Sequence, residues 1–424
     1  MKIRFINARI LTMEEDRDIF FGELWVEGNL ITYVGPKKET KTKFDRVIDC
    51  NGNLLMPGFK NAHAHSPMTF LRSYVDDLPL DRWLNEAVFP LEDKLLKEDI
   101  YHLSKVAFAE YVSSGITAAF DMYYHPLEIA KAARDTGFRS VLIGTITENR
   151  ETIEELKENY RVINSMSPLV KYYFGFHAEY TSTPEILRDL SKAANDTKSP
   201  IFTHISETEK EVEGCISRHG MTPAAYFDSL GLFNYGGGGY HGVAFRDIDF
   251  EIFKKRNLSI VTCPSSNTKL ASGIAPIKRY LDEGINVAIG TDGPASNNCL
   301  DMFREMFLVT GLAKIRENDA SVVDAYDVIK MATVNGSIAM GLDNADILAP
   351  NKLADLIMID LKQPNMQPMN NIVKNIVYAG SKSNIYLTMI NGKILYEDGK
   401  FYLDEDIETI YKNAQTITDR ITKD

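Results

Sequence analysis

LLMPGFKNAHAH, residues 54–65, is an apolar run that stops at two histidines one residue apart. Seven more short apolar runs follow: ITAAFDMY (116–123), RSVLIGTI (139–146), KYYFGFHA (171–178), PIFTHIS (200–206), GGGYHGV (237–243), LSIVTCP (258–264) and INVAIGTDG (285–293). Amphipathic stretches such as LSKVAFAEYVSSG, PLEIAKAARDTGF and PEILRDLSKAAND separate them. Eight apolar strands alternating with helices over roughly 290 residues predict an α/β chain with a (β/α)8 barrel of the TIM type. The rival, an open doubly wound sheet, calls for a Gly-rich fingerprint after its first strand, and none follows residues 54–65.

Outside this middle the texture changes. Residues 1–56 and 354–402 alternate short β-like runs with turns, and Asn391-Gly392 and Asp398-Gly399 read as hairpin turns. Neither end holds enough strands for a sheet alone. The expected organisation is a barrel over residues 57–345 and a small β-sandwich built from both termini, 1–56 with 346–424.

Composition narrows the function classes. The 424 residues are 44% hydrophobic and 25% charged, with net charge −12, as in a soluble globular protein. That charge argues against a nucleic-acid partner, which calls for a basic face, and against an anionic membrane surface. Cys50, Cys215, Cys263 and Cys299 lie far apart without a CxxC, so thiols in a reducing cytoplasm are expected. The N-terminal stretch does not read as a signal peptide, and no apolar run reaches 18 residues.

In such a barrel, chemistry sits at the C-terminal ends of the strands. Five of the eight histidines fall there: His63, His65, His177, His204 and His241, with Asp292 after the last strand. His102, His125 and His219 fall on helices or loops and are read as structural. Residues i and i+2 of a strand face the same way, so His63 and His65 can reach one ion. Imidazole suits zinc, iron and other borderline metals. His63, His65, His204 and Asp292 together offer three nitrogens and one oxygen, with a position left for water. Glu207, three residues after His204, is the carboxylate placed to shuttle protons; Glu209 and Glu211 read as a solvated helix start. Three other patterns are discounted. His177-x-Glu179 lacks the PCxxC of zinc-dependent cytidine deaminases. Gly236–Gly239 lacks a phosphate-loop context and reads as close backbone packing. Ser266-x-x-Lys269 lacks its companion motifs.

Taken together, PGFKNAHAH (57–65), THISETEKE (203–211), YHGV (240–243), CPSSNTKLASGIAP (263–276), GTDGPASNN (290–298), ATVNGSIAMG (332–341) and ADLIMID (354–360) resemble the amidohydrolase superfamily over essentially the whole chain. Strand four, YYFGFHAE, ends without the lysine that bridges two metals in some members. The resemblance therefore implies the single-metal branch, with one divalent ion: zinc, or ferrous iron or manganese. The segment SPMTFLRSYVDDLPLDRWLNEAVFPLEDKL (66–95) is most similar to the methylthioadenosine/S-adenosylhomocysteine deaminases. That likeness implies a hydrolase acting on C–N bonds of cyclic amidines, turning an adenosine derivative into its inosine-type product and ammonia. It implies that Glu92 binds the ribose hydroxyls, His177 the purine side, and Trp83 the pocket mouth. It also implies Asp292 as ligand and base, Glu207 as proton donor to the ring, and His241 as hydrogen-bond partner of the attacking oxygen. GTITENRET (144–152) holds Arg150 alone, which points away from adenosylhomocysteine and toward methylthioadenosine, 5′-deoxyadenosine or adenosine. The alternative is a mononuclear relative acting on guanine, a pterin or a chlorinated triazine, none of which offers Glu92 a ribose diol. A third alternative, a non-catalytic homologue, sits badly with retention of every ligand. The expected partner is a small-molecule nucleoside, with no nucleic acid and no membrane; a homo-oligomer is compatible with the sequence.

Overall fold

The computed structural model of the protein describes residues 1–14, 18–74, 76–79, 82–148 and 150–423. Five strands open the chain: β1 (Lys2–Ile10), β2 (Phe20–Glu27), β3 (Leu30–Gly35), β4 (Arg46–Asp49) and β5 (Leu54–Pro57). Eight follow in the middle: β6 (Phe59–Ala64), β7 (Ile116–Met122), β8 (Arg139–Ile143), β9 (Val170–Gly175), β10 (Ile201–Ile205), β11 (Gly237–His241), β12 (Ser259–Thr262) and β13 (Asn286–Ile289). Four close it: β14 (Leu356–Ile359), β15 (Ile385–Ile390), β16 (Lys393–Glu397) and β17 (Lys400–Phe401).

Strands β6 to β13 pair in sequence order, all parallel. They are almost continuously apolar because helices cover the outside and side chains fill the inside. The seam between β13 and β6 is stitched by side chains. Asn61 Nδ2 donates to Thr291 Oγ1 (2.7 Å), Thr291 N–H donates to Asn61 Oδ1 (2.8 Å), and Asp292 N–H donates to the His63 carbonyl (3.0 Å). The barrel is therefore nearly closed, and the doubly wound alternative is excluded. The glycine run has the packing role expected of it. A Cβ on Gly237 would sit 1.9 Å from the Ile201 carbonyl oxygen, and one on Gly238 1.9 Å from that of Ser259.

The terminal strands form one nine-stranded sheet, ordered β17-β16-β15-β14-β5-β1-β2-β3 with β4 beside β1. β1 carries a bulge at Asn7, whose φ is +54°. Ile3 and Phe5 are buried before it and Ala8 and Ile10 after it, so the extra residue shifts the alternation and turns a corner between two arms. Period-two alternation serves two cores at once. Leu55, Leu356, Met358, Leu387 and Met389 join Ile3, Phe5 and Ile10 in a core enclosed by the sheet. Leu54, Met56, Ile357, Ile359 and Ile385 belong to the barrel's apolar cluster. The run 54–65 thus splits at Gly58 into a strand of each sheet, and a Cβ at Gly58 would lie 2.0 Å from Thr117 Cγ2. Asn391-Gly392 and Asp398-Gly399 make the two tight hairpins, with positive φ at all four residues.

Two further contacts join the sheets. Arg139, the first residue of β8, donates to Asp355 through Nε (2.6 Å) and Nη2 (3.0 Å), and both residues are buried. The helix Ile407–Thr422 lies along the barrel helix Lys97–Ser113, where Arg420 meets Asp99 and Lys105 meets Asp404 at 2.6 Å. All four cysteines are free thiols. Among the described residues no helix is long and apolar enough to cross a membrane.

Candidate active site

The polar residues that end the barrel strands converge. His63 lies in β6, and His65 directly follows that strand. His204 lies in β10, His241 ends β11, and Asp292 stands three residues past β13. Asp292 Oδ1 is 3.4 Å from His63 Nε2 and 3.2 Å from His65 Nε2. Donor atoms of His63, His65 and Asp292 lie within 4.8 Å of one another, and so do those of His63, His204 and His241.

The geometry suits a cation. His204 Nδ1 contacts the His177 carbonyl (2.7 Å), His65 Nδ1 that of Met122 (2.5 Å), and His241 Nδ1 Asn267 Oδ1 (2.8 Å). Donation from Nδ1 leaves the Nε2 lone pair for a metal and fixes the ring. Neither ring nitrogen of His63, fully buried, has a hydrogen-bond partner among the described residues. An orphaned buried nitrogen needs a reason, and a bound ion supplies one. Burial pushes His63 down to about 3 and His204 well below its ordinary value, so both imidazoles are neutral, as ligands must be. Asp292 Oδ2 accepts the hydroxyls of Ser266 (2.6 Å) and Ser296 (2.8 Å), which leaves Oδ1 toward the histidines. His241 and Asp292 hold left-handed backbone conformations, with φ of +75° and +61°, a strain that clusters at working sites.

A cavity lies against these groups, bounded by Met68, Trp83, Phe89 and Leu270 and carrying Glu92, His177, Glu207, His241 and Asp292 in its wall. His65 and His204 line it too, and His63 lies behind it, 3.4 Å from Asp292 Oδ1. Trp83 enters from the short helical turn Trp83–Val88. Glu207 Oε2 is 3.9 Å from His241 Nε2, and burial raises its pKa. Glu92 is buried. Tyr123 Oη donates to its Oε1 (2.6 Å), Arg150 Nη1 approaches Oε2 (3.5 Å), and burial raises its pKa. Arg150 also meets Asp93 and lies 4.3 Å over the Tyr124 ring. The set-aside histidines lie elsewhere: His219 pairs with Glu179 (2.9 Å) and stacks on Tyr226.

Sequence reasoning missed several contributors. The discounted Ser266-x-x-Lys269 lies on the short helix Pro264–Lys269, and all of it is used. Ser266 holds Asp292, and Asn267 holds His241. Lys269 ties Asp76 to Asn298 Oδ1 (2.6 Å) beside the cavity. The signal was its place after strand seven, not its spacing. Tyr123 gave only an apolar strand end to read. Glu211, grouped with the solvated acids, is buried; Glu209 is exposed and pairs with Arg246.

Comparison with known proteins agrees with this architecture. A model of the amidohydrolase family matches residues 54–395. A 5-methylthioadenosine/S-adenosylhomocysteine deaminase of Thermoanaerobacter pseudethanolicus is 36% identical over 424 residues, 98% of each chain. A 5′-deoxyadenosine deaminase of Methanothermobacter thermautotrophicus is 37% identical over 369 residues, 85% of this chain and 86% of its own. Among solved structures, an adenosine deaminase of Xanthomonas campestris with bound zinc superposes with a TM-score of 0.93 at 29% identity, covering 99% of this chain and 98% of that one.

Proposed function

The chain belongs to the amidohydrolase family, and from that premise we propose that it is a metal-dependent aminohydrolase of adenosine derivatives, releasing ammonia and leaving the 6-oxo purine nucleoside. The observation that carries this reading is the pairing of two features across one cavity. His63, His65, His204 and Asp292 converge beside Glu207 on one side, and the buried carboxylate of Glu92 stands in the same wall. The first suits hydrolysis, and the second suits a ribose diol.

His63, His65, His204 and Asp292 would hold a divalent ion, which would supply hydroxide at neutral pH by lowering the pKa of water from 15.7 to about 7. We assign one ion per chain, zinc in the first instance. Asp292 takes the proton of the attacking water on its carboxylate. Glu207, a carboxyl whose pKa burial raises, delivers a proton to N1 of the purine, next to the carbon under attack. His241 hydrogen-bonds the oxygen added at C6, where charge develops. The amino group takes the proton held by Asp292 and leaves with the C–N electron pair as ammonia, while the C6 hydroxyl proton returns to Glu207 as the 6-oxo group forms. His177 and Trp83 bound the purine, and Glu92 accepts from the 2′- and 3′-hydroxyls.

The 5′ end sets the preference. Arg150 is engaged by Glu92 and Asp93 and packed on Tyr124, so an amino-acid carboxylate has to compete for it. This supports methylthioadenosine, 5′-deoxyadenosine and adenosine over S-adenosylhomocysteine. The test is ammonia release from a panel of these four with guanine. Turnover of the nucleosides, with adenosylhomocysteine slowest, is expected; turnover of guanine alone would reassign the enzyme to a different ring.

A further inference from the structure

We propose that Glu211 is a positioning residue for the proton shuttle: its carboxylate holds the turn that aims Glu207 into the cavity. The inference rests on the role given to Glu207 above.

Glu211 occupies the third position of the helix Glu209–His219. A glutamate there commonly folds back onto the N-cap N–H. Glu211 reaches further. One carboxylate oxygen accepts from Ser206 N–H (2.7 Å) and the other from Glu207 N–H (2.8 Å). Consecutive N–H groups closing on one anion make a nest, and this anion comes from the chain itself. The carbonyls of the same turn are held by the next strand's exit. Gly242 N–H donates to the Ile205 carbonyl (3.1 Å) and Ala244 N–H to that of Ser206 (2.9 Å). Ser206 sits at φ +50°, in the left-handed region that residues with a Cβ avoid. Such a conformation persists where its surroundings over-determine it, and the Glu211 carboxylate supplies two of the four bonds that do so.

The helix does not need Glu211 for its own start. Thr208 Oγ1 is the N-cap and accepts from Glu211 N–H (3.2 Å). Glu209 provides an acid in the first turn while remaining exposed. Burying a second carboxylate beside Glu207 is costly; burial and the Glu207 charge push Glu211 up to about 7. The two backbone N–H bonds offset that cost, and what they fix is the residue from which the Glu207 side chain springs.

The test is a double-mutant cycle on the metal-loaded enzyme. Glu211→Gln keeps the size but turns one acceptor oxygen into an NH2 facing a backbone N–H. The expected result is a kcat lowered about ten- to a hundredfold, the scale of a misplaced catalytic group, with KM changed less than about threefold and metal content unaltered. In a Glu207→Gln background the same substitution should change kcat less than about threefold, because the group it aims is already disabled. Glu211→Asp, which keeps the charge but is one methylene shorter, should fall between wild type and Gln. Thr208→Ala removes the cap but not the nest, and should lower Tm with kcat within about twofold. A near-wild-type kcat for Glu211→Gln, equal losses in both backgrounds, or failure of both Glu211 variants to fold would each overturn the inference and leave Glu211 a purely structural residue. A wild-type rate for Glu207→Gln alone is a separate failure: it removes the assigned role of Glu207, and this inference with it.

Discussion

Glu92 gives the sharpest handle on the substrate. An ionised carboxylate has about four acceptor sites and no donor. In Glu92 one is taken by Tyr123 Oη at 2.6 Å and one is approached by Arg150 at 3.5 Å, leaving two for a 2′,3′-diol. The residue is only 7% exposed, so water is poorly placed to replace a missing hydroxyl. Each hydrogen bond to a charged group contributes about 1.5–3 kcal/mol, and each 1.36 kcal/mol is tenfold in rate. Removing the 2′-hydroxyl should therefore lower kcat/KM by about ten- to a hundredfold. Glu92→Gln exchanges one acceptor oxygen for a donor. It should lower kcat/KM for adenosine by a comparable factor and shrink the adenosine to 2′-deoxyadenosine ratio below about threefold. The assay is ammonia release from both nucleosides by both enzymes. A wild-type ratio within about twofold of unity would remove Glu92 from the ribose and refute the reasoning.

Elemental analysis should find about one equivalent of divalent metal per chain, lost in His63→Ala and in Asp292→Ala, with turnover abolished by chelation; two tightly held equivalents would contradict the mononuclear reading. Asp355→Ala should destabilise the first unfolding transition by about 3–5 kcal/mol, because it leaves the buried Arg139 guanidinium unpaired and also removes the acceptor of Asn391 N–H; a loss under about 1 kcal/mol in denaturant titration would dissolve that argument. Burial raises Glu305 from 4.5 to about 7. Unfolded chains release this proton near 4.5 and the folded chain near 7, so its contribution to stability is full below pH 4.5 and declines as pH rises to about 7. Relative to Glu305→Gln, wild type should lose on the order of 3 kcal/mol across that window, and a gain would show the sign to be wrong.

What was legible in the sequence follows from one physical fact. Barrel strands are apolar on both faces, so a polar residue at a strand end stands out, and His63, His65, His204, His241 and Asp292 all announced themselves that way. Glu207 was legible by its distance from His204. Ser266, Asn267 and Ser296 were not, because a hydroxyl or amide near a ligand is a fact of three-dimensional proximity that no periodicity encodes. Glu211 was misread because three acids in one helical turn look alike until their burial is known. The split of residues 54–65 was hidden as well. β5 and β6 are both fully buried, so nothing in their burial separates them, and only Gly58, pressed against Thr117, marks the joint. The helix Ile407–Thr422 belongs by chain position with the terminal strands, yet its apolar stripe of Ile417 and Ile421 faces the barrel cluster.

The pairing of β5 with β14 joins Leu55 to Met358, partners separated by roughly 300 residues. Chains are synthesised at roughly 5–20 residues per second, so β5 emerges roughly 15–60 s before the strand that covers it. During that interval β5 has an open edge and the enclosed core lacks Leu356, Met358, Leu387 and Met389, the kind of exposed strand that invites aggregation. The barrel strands between them pair with neighbours in sequence and can add one after another as they are made, since contacts of short range form first. The terminal sheet must wait for β14 and β15, so its completion is the late event of biogenesis. Any change that slows arrival of residues 354–390 lengthens the exposure of residues 2–57 without touching the active site.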